Sequence, residues 1–393
     1  MSPDHLPLEA YATALASLPA MGPARLAALL GTVPPDVAWR RLVRARPGGE
    51  HDPGQLLGLG PGEDDRVRRA LGPAGAALAG RWRTAAASLD VAALWRRTAD
   101  LGMTVTRHGA AGYPAPLVDD VEPPAVAFHV GDPAVLDAPK VAVVGTRRCS
   151  ATGRSVAAEL GRDLATAGVV VVSGLASGID GAAHRGALAA EAAPPVGVVG
   201  SGLDVVYPAD HQDLWQQVPA RGLLLSEAPP GSPPERWRFP ARNRIIAALA
   251  DVVVVVESHR RGGALHTVDE ADRRATDVFA VPGSVRNPAA AGTNDLLAEG
   301  RPPACSADDV LVALGLGAGR RQGVADRRPA PGPDDASVLE HVGWQPTSLD
   351  QLALRAGRDL PTLAPALERL CQGGWVDHSG GWYQRVGPVP GVR

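Results

Sequence analysis

The sequence contains few residues that could form a covalent or metal-based framework. Its 393 residues include only three cysteines, Cys149, Cys305 and Cys371, which lie far apart without a Cys-x-x-Cys pair. This spacing excludes a disulfide framework and a cysteine-based zinc site. We therefore expect no bound metal, and the low cysteine use favours a reducing, cytoplasmic location.

Long apolar segments are also missing. The longest apolar strings, such as the one from Val252 to Val256, have the length of strands, whereas a membrane helix needs about 20 apolar residues. The N-terminal segment contains Asp4 and Glu9 and lacks the basic cluster that begins a signal peptide. We therefore expect a protein without membrane insertion.

The chain has no excess of positive charge. Its 39 basic residues face 42 acidic ones, for a net charge of −3. This excludes a histone-like polycation, so any nucleic-acid binding must come from a local basic patch. Of the basic residues only Lys140 is a lysine. The arginine bias can reflect a GC-rich genome or a local function, and composition alone leaves both open.

The distribution of apolar residues predicts three folded segments and a linker. Their boundaries are 1–84, 85–314, 315–335 (the linker) and 336–393. The first segment looks helical, and glycine-containing breaks between apolar stretches at 15–30 and 56–62 suggest helix-hairpin-helix units. Such a unit can hold a phosphate on its turn amides, although most are only packing units.

The C-terminal part begins with a segment, 315–335, that holds Gly, Pro, Arg and Asp with almost no large apolar group, as is typical of a linker. Beyond it, three helical stretches precede two short strands that turn on Ser379-Gly380-Gly381. This predicts a winged-helix domain, in which the third helix, with Arg369, would be the groove-reading element. Because residues 336–393 contain as many acids as arginines, five of each, a protein-contact role is at least as well favoured.

In the middle of the chain, short β-branched runs alternate with helix-length amphipathic stretches. The runs are continuous and apolar, as expected of strands that are buried on both faces. This alternation predicts a Rossmann-like, doubly wound α/β domain with a mainly parallel sheet. The six predicted strands are 140–144, 169–172, 196–199, 223–225, 252–256 and 278–281. Two earlier pieces, 104–106 and 126–130, could add an edge to the sheet or cap it.

The loop after the first predicted strand, Gly145–Gly153, combines small residues with arginines. From 145 to 154 there are three arginines, among them Arg147, and no acid. Small residues let the backbone approach an oxyanion, and the start of the next helix offers free amides. We therefore expect this loop to bind phosphate. It matches neither a Walker loop nor a Gly-x-Gly-x-x-Gly fingerprint, so no nucleotide cofactor is expected.

The loop after the second strand, Ser173–His184, again leads from small residues into a helix. We interpret Asp180 as a cap of a helix that begins at Gly181, in preference to a catalytic acid. His184 lies one turn further on, where it could contact phosphate or only support the loop.

The segment Arg236–Arg244 has four arginines, two aromatic residues and no acid. Arginine for phosphate beside a flat ring for a base is how single-stranded nucleic acid is held without a full sequence code. The alternative is that Trp237 and Phe239 belong to the core and that the arginines are solvated. Upstream, Tyr207 and Pro208 are expected to shape the wall of the crevice.

The remaining loops, after the fifth and sixth strands, offer backbone contacts at 257–270, 281–284 and 292–294. In none of the loops do we find a nucleophile beside a plausible base and orienting acid, nor a metal-ligand spacing. The predicted site is therefore built to bind and not to react, and we expect no enzyme.

The chain resembles the DNA-processing protein A (DprA/Smf) family in eight strings that occur in the expected order over most of residues 103–314. They are VAVVGTRRCSATG (141–153), SGLASGIDGAAH (173–184), GLDVVYP (202–208), SEAPPG (226–231), FPARNRIIAALAD (239–251), VVVVE (253–257), VFAVPG (278–283) and GTNDLLAEG (292–300). The resemblance implies a recombination mediator that is not an enzyme. Such a protein binds and protects incoming single-stranded DNA during natural transformation and loads a RecA-type recombinase. It also implies a homodimer, with a single-strand-binding protein as a further partner.

Together, the loops and the resemblance predict a set of DNA-binding residues. Arg147 would grip phosphate, small residues after the second strand would cradle the strand, and the Arg236–Arg244 segment would form a basic, stacking pocket. The predicted set is Arg147, Ser150, Gly153, Ser173, Gly174, Ala176, Gly178, Asp180, His184, Arg236, Phe239, Arg242, Asn243, Arg244, Gly263, Gly283 and Asn294.

The chain departs from the family pattern after the fifth strand. The usual Ser-Gly-Ser-Leu is replaced by Gly262-Gly263-Ala264-Leu265, which removes a hydroxyl at Ala264, and an imidazole is added at His266. The same loop faintly resembles that of lysine-decarboxylase-like phosphoribohydrolases. In that alternative the chain would be a nucleotide-hydrolysing enzyme with Glu270 as the acid that attacks a glycosidic bond.

Overall fold

The computed structural model describes residues 6–44, 61–72, 75–316, 328–344 and 346–386. Within these ranges no helix combines the length and the apolarity that a transmembrane span requires. The predicted hairpin at 56–62 and most of the predicted linker fall outside the described residues.

Six described helices form the N-terminal layer. They are α1 Leu8–Ala16, α2 Pro23–Leu30, α3 Pro35–Arg44, α4 Pro61–Leu71, α5 Gly75–Ser88 and α6 Val91–Asp100. Leu15, Leu29, Leu42 and Trp82 are fully buried between them, and their core continues into Phe128 of the neighbouring sheet. The helical layer therefore runs past the predicted boundary at residue 84, which lies inside α5.

The centre of the chain forms one eight-stranded sheet. Its strands are β1 Thr104–Arg107, β2 Val126–Gly131, β3 Lys140–Val144, β4 Val170–Ser173, β5 Val196–Val199, β6 Leu223–Ser226, β7 Val252–Val255 and β8 Asp277–Ala280. Their order is β1-β2-β6-β5-β4-β3-β7-β8. The strands from β3 onward are parallel, while β1 and β2 pair antiparallel at one edge. The predicted Rossmann-like, mainly parallel sheet is thus confirmed, and the two earlier pieces extend it at one side as β1 and β2.

Helices cover both faces of this sheet. They are α7 Ala151–Thr166, α8 Ile179–Ala189, α9 Gln212–Arg221, α10 Arg238–Leu249, α11 Leu265–Asp272, α12 Ala291–Ala298 and α13 Ala307–Ala313. Two glycines let α7 and α8 pack closely: a Cβ at Gly161 would lie 2.2 Å from the carbonyl oxygen of Ala183, and one at Gly186 would lie 2.0 Å from that of Ala158. This packing places the starts of α7 and α8 side by side.

The strand order reverses next to β3. From β3 the chain adds β4, β5 and β6 on one side, and then returns to place β7 on the other side of β3. In open α/β sheets a crevice forms beyond the carboxyl ends of the strands at such a reversal, because the two connections leave in opposite directions. The loops after β3 and β7 are therefore the expected walls of a ligand site.

The described residues 328–344 and 346–386, here called the C-terminal unit, fold around a core of their own. The helices are α14 Pro333–His341, α15 Leu349–Ala356 and α16 Leu360–Gln372, and the strands are β9 Thr347–Ser348, β10 Val376–Ser379 and β11 Trp382–Arg385. Three helices and a hairpin match the predicted element order, and the winged-helix assignment stays a prediction. The guanidinium of Arg369, the predicted groove reader, is held by the Asp335 carboxylate at 2.6 Å.

Candidate nucleic-acid interface

A cavity of about 440 Å³ opens at the point where the strand order reverses. We call it the crevice. Its walls come from the loop after β3, the start of α10 and the loop after β7. The lining residues are Val144, Gly145, Thr146, Arg147, Arg148, Ala176, Asp180, Phe239, Pro240, Arg242, Asn243, Ile246, His259, Gly262, Gly263, Ala264, His266 and Thr267. Three arginines and two histidines against one acid make this a local basic patch in a net-acidic chain.

Phe239, in the lining of the crevice, contacts two other flat groups, and we call the three together the stack. The guanidinium carbon of Arg147 lies 4.4 Å from the ring centroid of Phe239, and the ring centroid of Tyr207, which lies outside the lining, is 5.4 Å from that of Phe239 at an interplanar angle of 38°. Arg147 is exposed and Tyr207 keeps 38% of its surface exposed. Cation–π contact holds the arginine in place, so the stack presents a flat, positively charged surface to solvent.

The loop that carries Arg147 is held from beneath by a buried carboxylate, that of Glu257. Its oxygens accept hydrogen bonds from the Ser150 amide at 2.8 Å, the Ser150 hydroxyl at 2.6 Å and the Asn287 side chain at 2.9 Å. A Cβ at Gly153 would lie 2.4 Å from the carboxyl carbon of Glu257. A negative group thus already occupies the positive end of α7.

In this arrangement the donors of Ser150 and Gly153 are already used, so the expected binding of phosphate by these two residues is corrected. Ser150 and Gly153 were predicted to contact DNA, but the Ser150 donors point to Glu257 and the Gly153 amide donates to the Ser150 hydroxyl at 2.9 Å. Sequence reasoning missed Glu257 as a positioning residue. The available signal was an acid directly after the buried β7 strand, at the point where the strand order reverses.

The buried carboxylate of Asp180 accepts hydrogen bonds from the loop after β4, as Glu257 does from the loop after β3. Asp180 lies one residue into α8, so Gly178, not Asp180, holds the capping position, and the predicted cap is wrong. The carboxylate accepts the Gly174 amide at 3.2 Å. Burial raises the pKa of Asp180, opposed by the charge of Arg242 and by backbone hydrogen bonds from Gly145 and from the 174–176 loop. Asp180 therefore ties the two loops together and is withdrawn from a ligand.

Arg242 lies at the floor of the crevice and supports the loop after β4. Its Nη1 donates to the carbonyl oxygen of Gly174 at 2.8 Å and to that of Val198. Burial lowers the pKa of Arg242 to about 10, opposed by Asp180. Arg242, which was predicted to line the pocket, does line the crevice, but its guanidinium is buried and already hydrogen-bonded to backbone carbonyls.

Arg244 is also buried, on the other side of α10. Residues two apart on a helix are separated by about 200°, so Arg244 points away from the crevice and forms an ion pair with Glu227. Its expected place in the pocket is wrong. By contrast, Phe239 and Asn243 are four residues apart and share the crevice face, where the Asn243 amide donates to the Gly263 carbonyl at 3.3 Å.

The remaining residues of the loop after β4 are structural. The Ser173 hydroxyl donates to the Val143 carbonyl at 2.6 Å, and burial lowers the pKa of His184 to about 4. Both side chains are completely buried, so a direct contact with DNA is excluded in this conformation. Gly178 has φ +82°, and a Cβ there would lie 2.4 Å from the Thr146 carbonyl oxygen. Ala176 does line the crevice.

Three further predicted residues also lie outside the lining of the crevice. Arg236 is exposed before α10 and does not line it. The Asn294 side chain accepts from the Gly283 amide at 3.1 Å and donates to its carbonyl at 3.0 Å. Gly283 borders a second cavity, together with Ser150 and Gly153. The structure therefore divides the predicted site into a crevice and a neighbouring cavity, and adds Arg148, His259 and His266 to the crevice.

Glu270, the acid required by the alternative enzyme, does not line the crevice. Its carboxylate binds Arg273 at 3.0 Å and Arg274 at 2.6 Å, and Arg274 also pairs with Asp120 at 2.7 Å. An acid held by two arginines and directed away from the cavity is poorly placed to attack a bound nucleotide.

Comparison with known proteins finds a matching family model, related sequences and a related crystal structure. The family model of the DNA recombination-mediator protein A matches residues 104–315. The DNA processing protein DprA of Bacillus subtilis (strain 168) is 39% identical over 203 residues, covering 51% of this chain and 68% of the relative. Protein Smf of Escherichia coli (strain K12) is 34% identical over 288 residues, covering 72% and 77%. The crystal structure of DNA processing protein A from Streptococcus pneumoniae superposes with a TM-score of 0.60 at 29% identity, covering 78% of this chain and 98% of that one.

Proposed function

Because the chain belongs to the DNA recombination-mediator protein A family, that of the DNA-processing proteins DprA and Smf, we propose that it binds single-stranded DNA in the crevice. The observation that carries the proposal is the stack of Arg147, Phe239 and Tyr207. Base–aromatic stacking with arginine for phosphate is the usual means of holding a single strand. A duplex hides its base faces, so the stack favours unpaired DNA.

The charges of the crevice support the same assignment. Arg147 and Arg148 are exposed beside His259 and His266, while the acid in the lining, Asp180, is buried and hydrogen-bonded to backbone amides. Phosphates would therefore meet the exposed arginines at the mouth of the crevice. Binding then depends on a local field and not on the net charge of −3.

The proposal extends to the steps after binding. The protein would act as a homodimer and without a catalytic step. It would protect an incoming strand during natural transformation and load a RecA-type recombinase on it, with a single-strand-binding protein as a further partner. The description of the matching family as a recombination mediator supports this sequence of steps. Recombinase filament assembly on DNA coated with single-strand-binding protein, with and without this protein, tests the loading step. Analytical ultracentrifugation tests the dimer.

Binding itself is tested by fluorescence anisotropy with a labelled oligonucleotide, single- or double-stranded, across a salt series. We expect tighter binding of the single strand, weakening with salt. Arg147→Ala and Phe239→Ala should each weaken it by about 5- to 150-fold, the effect of losing one stacking contact. Arg147→Ala should also lower the salt slope by roughly 0.7, the value for one phosphate contact on a single strand.

Arg301→Ala is the matched control. Arg301 pairs with Asp272 at 2.8 Å, and neither residue lines the crevice. The control should bind like the wild type. Salt-independent binding, a preference for duplex, or equal losses in Arg147→Ala and Arg301→Ala would reject the proposal, and release of free base from a nucleoside monophosphate would favour the enzyme.

A further inference from the structure

The second cavity, about 590 Å³, lies between the α/β domain and the C-terminal unit. The C-terminal unit reaches it through a polar contact with the first turn of α7. The buried Gln384 side chain donates to the Trp344 carbonyl oxygen at 2.9 Å and to the Thr152 hydroxyl. Thr152 in turn donates to the Trp344 carbonyl at 3.4 Å. The C-terminal unit is therefore docked at the same edge of the sheet as the crevice.

The chemistry of this cavity repeats that of the crevice. Trp344 forms one wall and keeps 58% of its surface exposed, with the Arg385 guanidinium carbon 5.5 Å from its ring centroid. Arg286 is exposed on the opposite wall. The acid in the lining, Glu257, is buried and binds Ser150 and Asn287. An exposed aromatic face beside two arginines suits a nucleobase and its phosphate.

One loop, the loop after β3, contributes lining residues to both cavities. Arg148 lines the crevice and Ser150 lines the second cavity. The Cα atoms of residues two apart in the chain are separated by at most about 7 Å. A single strand of DNA that extends from Arg147 and Phe239 along this loop would next reach Trp344. We propose that the second cavity binds a further base of the same single strand, with Trp344 as its stacking residue. This inference rests on the proposed function of the crevice.

The test uses the full chain and oligothymidylates that range from about 4 to about 16 nucleotides, the span of known single-strand sites. Trp344→Ala should leave the affinity for the shortest oligonucleotides unchanged and weaken that for the longest by about 5- to 150-fold. Trp382→Ala, in β11 of the same unit and 50% exposed without lining the cavity, is the control. Arg147→Ala should weaken binding at every length.

Each outcome separates the two proposals. If the wild type binds no oligonucleotide, the crevice proposal fails and this inference fails with it. If Arg147→Ala weakens binding while Trp344→Ala matches the wild type at every length, the crevice stands and the second site is wrong. Equal weakening by Trp344→Ala at all lengths, or by Trp382→Ala, would also overturn it.

Photocrosslinking to the wild-type protein locates the bound DNA directly, so it does not depend on indirect effects of Trp344→Ala. Oligonucleotides with a single iododeoxyuridine at successive positions are photocrosslinked to the wild-type protein, and the attached residue is identified by mass spectrometry. We expect crosslinks to Trp344 from one position, a few nucleotides away from the position that crosslinks to Phe239 or Tyr207. Crosslinks to the crevice with none to the C-terminal unit at any position would reject the second site.

Discussion

Substituting Glu257 should loosen the loop that carries Arg147. The carboxylate is 5% exposed and accepts two hydrogen bonds from Ser150 and one from Asn287. A buried donor that loses its partner costs about 1–3 kcal/mol, and the three contacts are coupled, so we expect Glu257→Ala to lower stability by about 3–5 kcal/mol. In Glu257→Gln the amide oxygen can still accept the Ser150 amide, which limits the loss to about 1–2 kcal/mol.

The assay combines thermal unfolding with single-strand anisotropy. The melting temperature of the α/β domain should be lower by roughly 6–15 °C in Glu257→Ala than in the wild type. DNA affinity should fall by about 2- to 13-fold, because a side chain that is no longer held before binding must be ordered on binding. Glu299→Ala, at an exposed glutamate after α12, is the control and should change neither quantity.

One result would refute this reasoning. If Glu257→Ala binds single strands more tightly than the wild type, the carboxylate excludes a phosphate from the start of α7 instead of organising the loop. The vacated donors of Ser150 would then be ligand donors, as the residue pattern of the loop predicts. An unchanged melting temperature in both variants would equally show that the contacts of Glu257 do not hold the loop.

Two further predictions concern the loop after β4. His184 has a pKa lowered to about 4 by burial, whereas an unfolded histidine titrates near 6.5. The stability it contributes is therefore complete above pH of about 6.5 and lost as the pH falls towards 4, at about 1.4 kcal/mol per pH unit. His184→Leu should flatten the fall in melting temperature between about pH 7 and pH 5, and parallel slopes would contradict this. Gly178→Ala should lower the melting temperature and weaken DNA binding, because the Cβ meets the Thr146 carbonyl at 2.4 Å in a backbone with φ +82°. Gly263→Ala meets nothing within 4 Å and should melt like the wild type.

The sheet was predictable because its signal is local. Runs such as Val252–Val255 are apolar on both faces, which only a strand between covering helices tolerates. The alternation with helices then predicts a parallel sheet with its ligand site at the carboxyl ends of the strands. Arg147 and Phe239, which are far apart in the chain, were both predicted for this site, and the fold brings them to 4.4 Å.

The orientation of the arginines in α10 was not predictable. Four arginines within nine residues show no apolar periodicity that would predict which helix face each one takes, and the helix begins at Arg238. Its phase turns Phe239 and Asn243 to the crevice, sets Arg242 beneath it and sends Arg244 to Glu227. Which arginine meets a ligand is thus decided by helix phase and packing, not by composition.

The sequence and the tertiary structure decided different properties of this protein. The sequence by itself determined the fold class and, with it, the edge of the sheet at which a ligand crevice forms, since both follow from local periodicity and strand order. The tertiary structure decided which loop amides are free for a ligand. Glu257 and Asp180 come from separate parts of the chain to bind them, and a buried carboxylate takes the nearest unpaired donors wherever the fold places them.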